Sequence, residues 1–143
     1  MEIREPNNEQ EWEQYYDLRW CVLREMCDQP PGSEKDDLEE DSYHLMATEE
    51  GKCVGVGRAH FNHGSEGQIR CMGVDVDCRG KGIGTKILEA LEIYFLRNAT
   101  GSVILNAHKE AVGFYQRYGY QVTGEEPLLF GAVEHVKMCK RLM

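Results

Sequence analysis

The segment VDVDCRGKGIGTKILEAL, residues 74–91, decides the fold of this chain. Its start alternates apolar and polar residues, as a β-strand does. Its centre has glycines at positions 80, 82 and 84, and its end repeats apolar residues at helical spacing. Glycine lets the backbone approach a ligand closely and adopt dihedral angles barred to other residues. The first amides of the following helix lack partners within the helix, and its dipole is positive at that end. The segment therefore predicts an anion site, most often one for phosphate.

Arg79, Lys81 and Lys86 place positive charge around these glycines, which strengthens the prediction of an anionic ligand. A P-loop is excluded because no stretch of the chain matches GxxxxGK[ST]. The dinucleotide motif GxGxxG fails as well, since Thr85 stands where its third glycine is needed. The preceding strand is also predicted to end an antiparallel meander rather than to begin a βαβ unit. The expected ligand carries a phosphate or a diphosphate.

The rest of the chain predicts a single α/β domain of the α+β type over residues 1–143. The predicted order is β-α-β-β-β-α-β-α-β-β, a mixed and largely antiparallel sheet flanked by helices. The predicted strands cover residues 2–5, 43–48, 53–61, 68–76, 102–106, 120–123 and 133–139. The predicted helices cover residues 8–27, 82–98 and 109–118, and Asn8 is expected to cap the first.

Composition excludes several classes of protein. No apolar run approaches the ~20 residues of a membrane span, and the polar N-terminus lacks the apolar core of a signal peptide. The six cysteines form no CxxC pair, so we expect reduced thiols in a cytoplasmic protein. The net charge of −9 argues against nucleic-acid binding. Residues 1–50 carry 16 Asp/Glu against 4 Lys/Arg, a net charge of −12, whereas residues 51–143 carry a net charge of +3.

Two blocks of the sequence resemble the GNAT acyltransferase superfamily, in particular its small bacterial members. The first is Arg79-Gly80-Lys81-Gly82-Ile83-Gly84, which matches the acetyl-CoA signature [QR]xxGxG. The second is ILNAHKEAVGFYQRYGYQ, residues 104–121, in which an Asn at a strand end precedes FYxxxGY on the next helix. The resemblance implies a GNAT-like fold and an N-acetyltransferase that moves an acetyl group from acetyl-CoA, as cosubstrate, to a primary amine.

The resemblance also implies roles for individual residues. Val74 and Val76 would offer backbone hydrogen bonds to the pantetheine arm, and Asn106 would reach the cofactor from the neighbouring strand. The diphosphate would be wrapped by Arg79, Gly80, Lys81, Gly82, Ile83, Gly84 and Thr85. An amide at a strand bulge, that of Val74, would stabilise the oxyanion, a contribution worth roughly 3 kcal/mol. Tyr115 would act as general acid to the CoA thiolate, whereas Phe114 and Tyr118 are interpreted as core residues.

The sequence does not determine which residue is the general base. The candidates are Glu66, Asp75, Asp77, Asp36, Asp37, Glu39, His44 and His135. His135 is either a base beside the acceptor cleft or a structural histidine. The acidic loop around residues 34–41 is either a solvated face or a wall that attracts a cationic acceptor. Gly73 stands where such strands usually carry a larger residue, which would widen the cleft or accommodate a bulge.

Other interpretations of the sequence compete with acetyl transfer. His60 and His63 form HxxH near Cys71, but four ligands at a recognised spacing are absent, so no metal site is predicted. Cys78 could be a regulatory thiol. A non-catalytic CoA-binding or sensory module of the same fold is the alternative function. The expected partners are a small-molecule or peptide amine and a second copy of the chain in a homodimer, with no nucleic acid and no membrane.

Overall fold

The structure, a computed structural model, describes residues 1–23, 32, 35–125 and 135–143. The strands and helices in chain order are β1 (Glu2–Arg4), α1 (Glu9–Leu23), β2 (Tyr43–Glu49), β3 (Lys52–Phe61), β4 (Glu66–Val74), α2 (Ile83–Arg97), β5 (Ser102–His108), α3 (Val112–Arg117), β6 (Gln121–Glu125) and β7 (His135–Arg141). Short 3-10 turns occupy Glu39–Asp41, Val76–Cys78 and Lys109–Ala111. This order confirms the predicted succession of strands and helices. The continuation of α1 towards residue 27 and the predicted start of the last strand at residue 133 lie outside the described residues.

Seven strands form one sheet in the order β1-β2-β3-β4-β5-β7-β6. Only β4 and β5 pair in parallel among the described strands, so the predicted mixed, largely antiparallel sheet is confirmed. The order follows from the chain: β1 to β4 form an antiparallel meander, and α2 then carries the chain over the sheet to β5. The last strand, β7, inserts between β5 and β6.

One predicted boundary is wrong at the residue that matters for the site. The third strand of the meander was expected to reach Val76, but β4 ends at Val74 and Val76 begins a 3-10 turn. Asp75 causes the break, because its side chain accepts a hydrogen bond from the amide of Asp77 at 3.0 Å. A carboxylate that satisfies an amide two residues on stabilises a turn in place of the strand.

The main core lies between the sheet and the helices α2 and α3. The apolar stripe of α2 is fully buried there and includes Ile83, Ile87, Leu91 and Phe95. These side chains pack on inward residues of the central strands, such as Ile69 and Leu105. Burying such a stripe is the main stabilising contribution to a helix of this length in a protein.

Helix α1 covers part of the opposite face. Asn8 caps it as predicted, since its side chain accepts a hydrogen bond from the amide of Glu11 at 2.9 Å. Tyr15 and Arg19 are buried against β3 and β4. The built Cβ of Gly73 would lie 2.6 Å from Cγ2 of Val22, so only glycine lets α1 approach β4 this closely. None of the described helices packs extensively on this face of β5 and β7.

Strands β4 and β5 separate partway along their length. They pair only from Glu66↔Ser102 to Ile69↔Leu105. Beyond that point β4 bulges at Cys71, which has φ +56°, while β5 continues beside β7. A bulge bends its strand and changes the direction of the residues after it. The sheet therefore opens into a gap between residues 70–74 of β4 and residues 106–108 of β5.

Candidate active site

A cleft of about 560 Å³ lies beside this gap, between β4, the N-terminal end of α2 and α3. It is lined by Met72, Gly73, Val74, Cys78, Arg79, Gly80, Gly82, Ile83, Gly84, Thr85, Ala111, Phe114, Tyr115, Arg117 and Tyr118. The glycine segment thus forms one wall of an elongated site, and α3 forms the facing wall.

The glycine segment has the geometry of an anion cradle. Gly80 and Gly82 have φ of +82° and +81°, and nothing lies within 4 Å of a Cβ built on either residue. Gly82 caps α2 without a side-chain hydrogen bond, and the first amide of α2 bonded back to Gly82 is that of Lys86. The amides of residues 83–85 consequently have no acceptor within the helix. Open space, amides without helical partners and a positive helix end together fit a diphosphate.

The backbone of Val74 faces the gap. In an antiparallel pair, hydrogen-bonded and non-bonded positions alternate. The amide of Asp75 donates to the carbonyl of Val54 at 2.9 Å, so the neighbouring residue, Val74, directs its N–H and C=O away from β3. The Val74 carbonyl accepts a hydrogen bond from Nε of Arg79 at 3.3 Å, which ties the cationic side chain to the cleft wall.

Tyr115 lies at the β4 side of the cleft. Its hydroxyl donates to Sδ of Met72 at 3.6 Å, and burial raises the pKa of the phenol well above its usual value. The hydroxyl therefore stays protonated across the neutral pH range and can donate a hydrogen bond. Nearby, Thr85 Oγ1 and the Tyr118 hydroxyl lie 2.7 Å apart and join α2 to α3 across the cleft.

Comparison with known proteins identifies the family to which this fold belongs. Residues 21–142 match the protein family described as the acetyltransferase (GNAT) domain. The chain belongs to the GNAT acetyltransferase family. This membership confirms the predicted family, fold and enzyme class, that of a GNAT-type N-acetyltransferase.

Relatives of similar length support the assignment to the GNAT family. The protein named "Uncharacterized N-acetyltransferase YjcF" of Bacillus subtilis (strain 168) is 32% identical over 133 residues, 93% of this chain and 94% of that protein. An aminoglycoside 6'-N-acetyltransferase complexed with coenzyme A superimposes with a TM-score of 0.84 at 17% identity, covering 100% of this chain and 98% of that one. An acyl-CoA N-acyltransferase from Pseudomonas aeruginosa superimposes with a TM-score of 0.79 at 24% identity, covering 97% of each chain.

The GNAT cleft brings together most of the residues predicted to line it. Those that line it are Val74, Arg79, Gly80, Gly82, Ile83, Gly84, Thr85 and Tyr115. Val76, Lys81 and Asn106 are not among its lining residues in the described part of the chain. Val76 is 66% exposed in the turn after β4, so its predicted role as a strand residue is corrected. Phe114 and Tyr118, interpreted as core residues, pack on the core and also line the cleft.

Asn106 lies on the other side of the sheet from the cleft. Its neighbours on β5, Leu105 and Ala107, are buried in the core beside α2 and α3. Successive side chains of a strand point to opposite faces, so Asn106 lies on the face that α1 partly covers. It is exposed there, next to the gap. The structure therefore does not bring Asn106 to the glycine cradle.

Two of the carboxylates proposed as bases are bound to arginines. Glu39 accepts hydrogen bonds from Nη1 of Arg19 at 2.7 Å and from Nη1 of Arg58, while Asp36 accepts from both Nη atoms of Arg58, at 2.8 and 2.9 Å. Burial alone would raise the pKa of both carboxyls, but the guanidinium groups outweigh burial and hold both pKa values below their usual range. A carboxylate with a lowered pKa is a poor base.

His44, a third candidate base, is a satisfied structural residue. Its Nε2 lies 2.7 Å from the carbonyl of Glu39, which can only accept, so Nε2 carries the proton. Its Nδ1 then accepts from the Tyr15 hydroxyl at 2.8 Å. Burial first, and the nearby guanidinium groups of Arg19 and Arg58, lower the pKa of His44. The imidazole is buried, so it offers no surface to an acceptor amine.

The other candidate bases lie in several places. Asp75 accepts from the amide of Asp77 and lies 3.7 Å from Nζ of Lys52, and Glu66 accepts from the side chain of Asn62. His135 is on β7, one strand beyond β5, and its Cα pairs with that of His108, which lies at the gap. No three His, Cys, Asp or Glu side chains gather as metal ligands in the described residues. No described helix is long and apolar enough to cross a membrane.

Four residues that shape the site are not among those predicted from the sequence. Met72 and Arg117 line the cleft, and Arg19 and Arg58 are fully buried around the two carboxylates. A signal for Arg19 exists in the sequence, because it recurs in the apolar pattern of α1 four residues after Tyr15. An arginine on the buried stripe of a helix requires an acidic partner elsewhere in the fold.

Proposed function

We propose that this GNAT protein transfers an acetyl group from acetyl-CoA to a primary amine by direct attack, without a covalent enzyme intermediate. The observation that carries the proposal is the continuity of the cleft. The same cleft joins an anion cradle at residues 80–85 to a protonated phenol, Tyr115, at the gap between β4 and β5. The structural similarity to an aminoglycoside 6'-N-acetyltransferase complexed with coenzyme A supports both an acyl-CoA donor and an amine acceptor.

The cleft residues fit the parts of coenzyme A. The amides at the start of α2, together with Gly80 and Gly82, would hold the diphosphate, and Arg79 would add positive charge. The N–H and C=O of Val74 would hydrogen-bond the pantetheine arm as a neighbouring strand does. Acetyl-CoA supplies the activated thioester, and the protein supplies positioning and electrostatics.

Two groups of the chain would stabilise charge during transfer. The N–H of Val74 faces the gap, where it can donate to the carbonyl oxygen as negative charge develops on it. The hydroxyl of Tyr115 can act as general acid to the departing thiolate, and its raised pKa keeps the proton in place until then. The acceptor amine must lose a proton to solvent or to a base at the gap.

Thiol release from acetyl-CoA over a panel of amines tests the proposal, with calorimetry for CoA binding. We expect CoA to bind and an amine to trigger release. Replacing Tyr115→Phe should lower turnover by about 100-fold, the lower end of the range for an acid catalyst, and leave CoA affinity unchanged. Tyr94→Phe is the matched control, because Tyr94 stacks on Tyr43 outside the cleft.

The outcomes separate the proposal from its alternative. CoA binding without release on any amine would favour a non-catalytic CoA-binding or sensory module. Equal turnover of the Tyr115→Phe and Tyr94→Phe variants would remove the acid role of Tyr115. Absence of CoA binding would contradict the cradle itself.

The proposed compartment is the cytoplasm. Cys53, Cys71, Cys78 and Cys139 are free thiols, which suits a reducing environment. Cys78 lies in the cleft wall beside Arg79, so a regulatory role for its thiol stays a prediction. A homodimer also stays a prediction, and the mass of the CoA-bound protein in solution would test it.

A further inference from the structure

A row of polar residues crosses the outer face of the sheet, beside the gap. Lys137 of β7 pairs with Asn106 of β5, and the neighbour of Lys137, Met138, is buried in the core. The alternation of side chains therefore places Lys137 and Asn106 on the face opposite the cleft. Arg70 lies on the same face, because Ile69 before it is buried in the core.

Arg70 and Asn106 are the first residues after the last pair of β4 and β5, Ile69↔Leu105. They stand on either side of the gap where it opens. Paired strands are about 4.8 Å apart, so the backbones of Asn106 and Lys137 lie roughly that far apart, and Arg70 stands across the gap from Asn106. We call these three residues the cationic row.

The row retains positive charge after its ion pairs are counted. Arg70 contacts Asp36 at 3.4 Å, but Asp36 already accepts two hydrogen bonds from Arg58. Among the described residues, Arg70 therefore shares the charge of Asp36 with Arg58. The side chain of Arg70 is 40% exposed, so its charge faces solvent at the gap.

Lys137 adds a second charge to the row. It makes no ion pair among the described residues. Glu66 is on the same face, but it lies four residues from Arg70 along β4, about 13 Å away, and accepts a hydrogen bond from Asn62. At the gap itself, the described part of this face is therefore cationic.

The gap between β4 and β5 is the route by which an acceptor would reach the thioester. The cradle and Tyr115 lie on the α2 and α3 side, so a thioester carrier would occupy that side of the sheet. An amine that attacks the carbonyl must then enter from the opposite side, past Arg70 and Asn106. We propose that the acceptor is a small primary amine with an anionic group, a carboxylate or a phosphate, held by Arg70 and Lys137 with Asn106 between them. This inference rests on the proposed function.

The chemistry of the row suits such an anion. Arginine binds carboxylate and phosphate through a planar fork of donors, lysine adds a point charge, and an asparagine amide donates between them. The proposed acceptor is anionic, whereas an acidic wall formed by the loop around residues 34–41 would attract a cationic acceptor. Asp36 and Glu39 do not form that wall, because their charges are bound by arginines.

The test compares four acceptors under one set of conditions: ethanolamine phosphate, β-alanine, ethanolamine and 1,3-diaminopropane. They share an aminoalkyl chain and differ in the charge at its other end. We expect kcat/KM for at least one anionic acceptor to exceed that for ethanolamine by about tenfold or more, and the diamine to be the poorest. The ratio of ethanolamine phosphate to β-alanine separates phosphate from carboxylate as the preferred anion.

Variants of Lys137 link the preference to the row. Lys137→Met should raise KM for the anionic acceptor about tenfold more than KM for ethanolamine. Lys137→Glu should shift the preference towards the diamine. Arg97→Met is the matched control, since Arg97 is exposed at the far end of α2. Thermal unfolding of each variant separates a folding defect from a change in selectivity.

The two proposals fail in different ways. Acetyl transfer to the neutral or cationic amines at equal or higher kcat/KM would overturn the anionic acceptor and leave the acetyltransferase function standing. An anionic preference that survives both Lys137 variants would overturn the row as its cause. CoA binding with no transfer to any of the four amines, but with transfer to another amine of the panel, would overturn this inference alone, whereas no transfer to any amine would overturn the proposed function as well.

Discussion

The substitution Glu39→Gln tests the buried ion pairs that attach the loop before β2 to the sheet. The carboxylate of Glu39 accepts from Arg19, from Arg58, from the Tyr16 hydroxyl at 3.1 Å and from the amide of Asp36 at 3.1 Å. The side chains of both arginines are 0% exposed and that of Glu39 is 13% exposed. The neutral amide would remove the negative charge that Glu39 presents to the buried guanidinium of Arg19.

The expected loss of stability is large for a single residue near the surface. Breaking a buried pair by removing one partner costs about 3–5 kcal/mol, and the lower value applies here because Arg58 retains Asp36. For a chain of this size about 3 kcal/mol corresponds to a fall of roughly 10 °C in melting temperature. Circular dichroism during heating, with urea unfolding as a second measurement, gives both quantities.

The neighbouring residue provides the control. Glu40 is exposed, so Glu40→Gln should change the free energy of unfolding by only a few tenths of a kcal/mol. This corresponds to a change of roughly 1 °C in melting temperature. If Glu39→Gln unfolds at the same temperature as Glu40→Gln, the ion pairs do not stabilise this part of the fold. The double variant Arg19→Met with Glu39→Leu removes both charges and should be more stable than Glu39→Gln.

Three further predictions concern pH, the cradle and helix packing. Burial lowers the pKa of His44 below its ordinary 6.5, so the folded state holds it neutral, and stability should fall as pH drops from about 6.5 through that lowered pKa. His44→Gln should flatten this part of the stability–pH curve measured by urea unfolding. Gly82→Ala should cost about 1–2 kcal/mol because of its positive φ and should also weaken CoA binding in calorimetry. Gly64→Ala, at φ +69° in the β3–β4 turn, should cost as much stability with CoA affinity unchanged. Gly73→Ala should destabilise by about 1–3 kcal/mol through its clash with Val22, and Val22→Ala in the same chain should recover most of that loss in thermal unfolding.

Local signals account for the elements that the sequence predicted well. The spacing of Gly80 and Gly82, and the apolar stripe that begins at Ile83, specify a strand, a cradle and a helix within one continuous segment. The meander before the segment is specified in the same way, by alternation and turn residues. Short-range patterns determine such elements because the dihedral preferences and the buried face lie in the same stretch of chain.

Contacts between distant segments account for the features that sequence analysis did not predict. The register of β4 against β5 ends at Ile69, and this ending opens the gap beside which Asn106 lies on the outer face. Arg58 is on β3 while its partners, Asp36 and Glu39, precede β2 by sequence. The pattern within one segment predicts neither the end of this register nor these ion pairs, because each depends on how separate elements meet in the folded chain.

The same distant contacts connect the acidic third of the chain to the active site. Arg19 of α1 and Arg58 of β3 hold Glu39 between them, and Val22 of α1 rests on Gly73, one residue before Val74. The position of the Val74 amide at the gap therefore depends on packing against α1. Arginines bind two of the carboxylates in residues 1–50, Asp36 and Glu39, so these two charges are not open to an acceptor. Under the proposed function, we expect selectivity for the acceptor to follow from residues 51–143, whose net charge is +3 and which include Arg70 and Lys137 beside the gap.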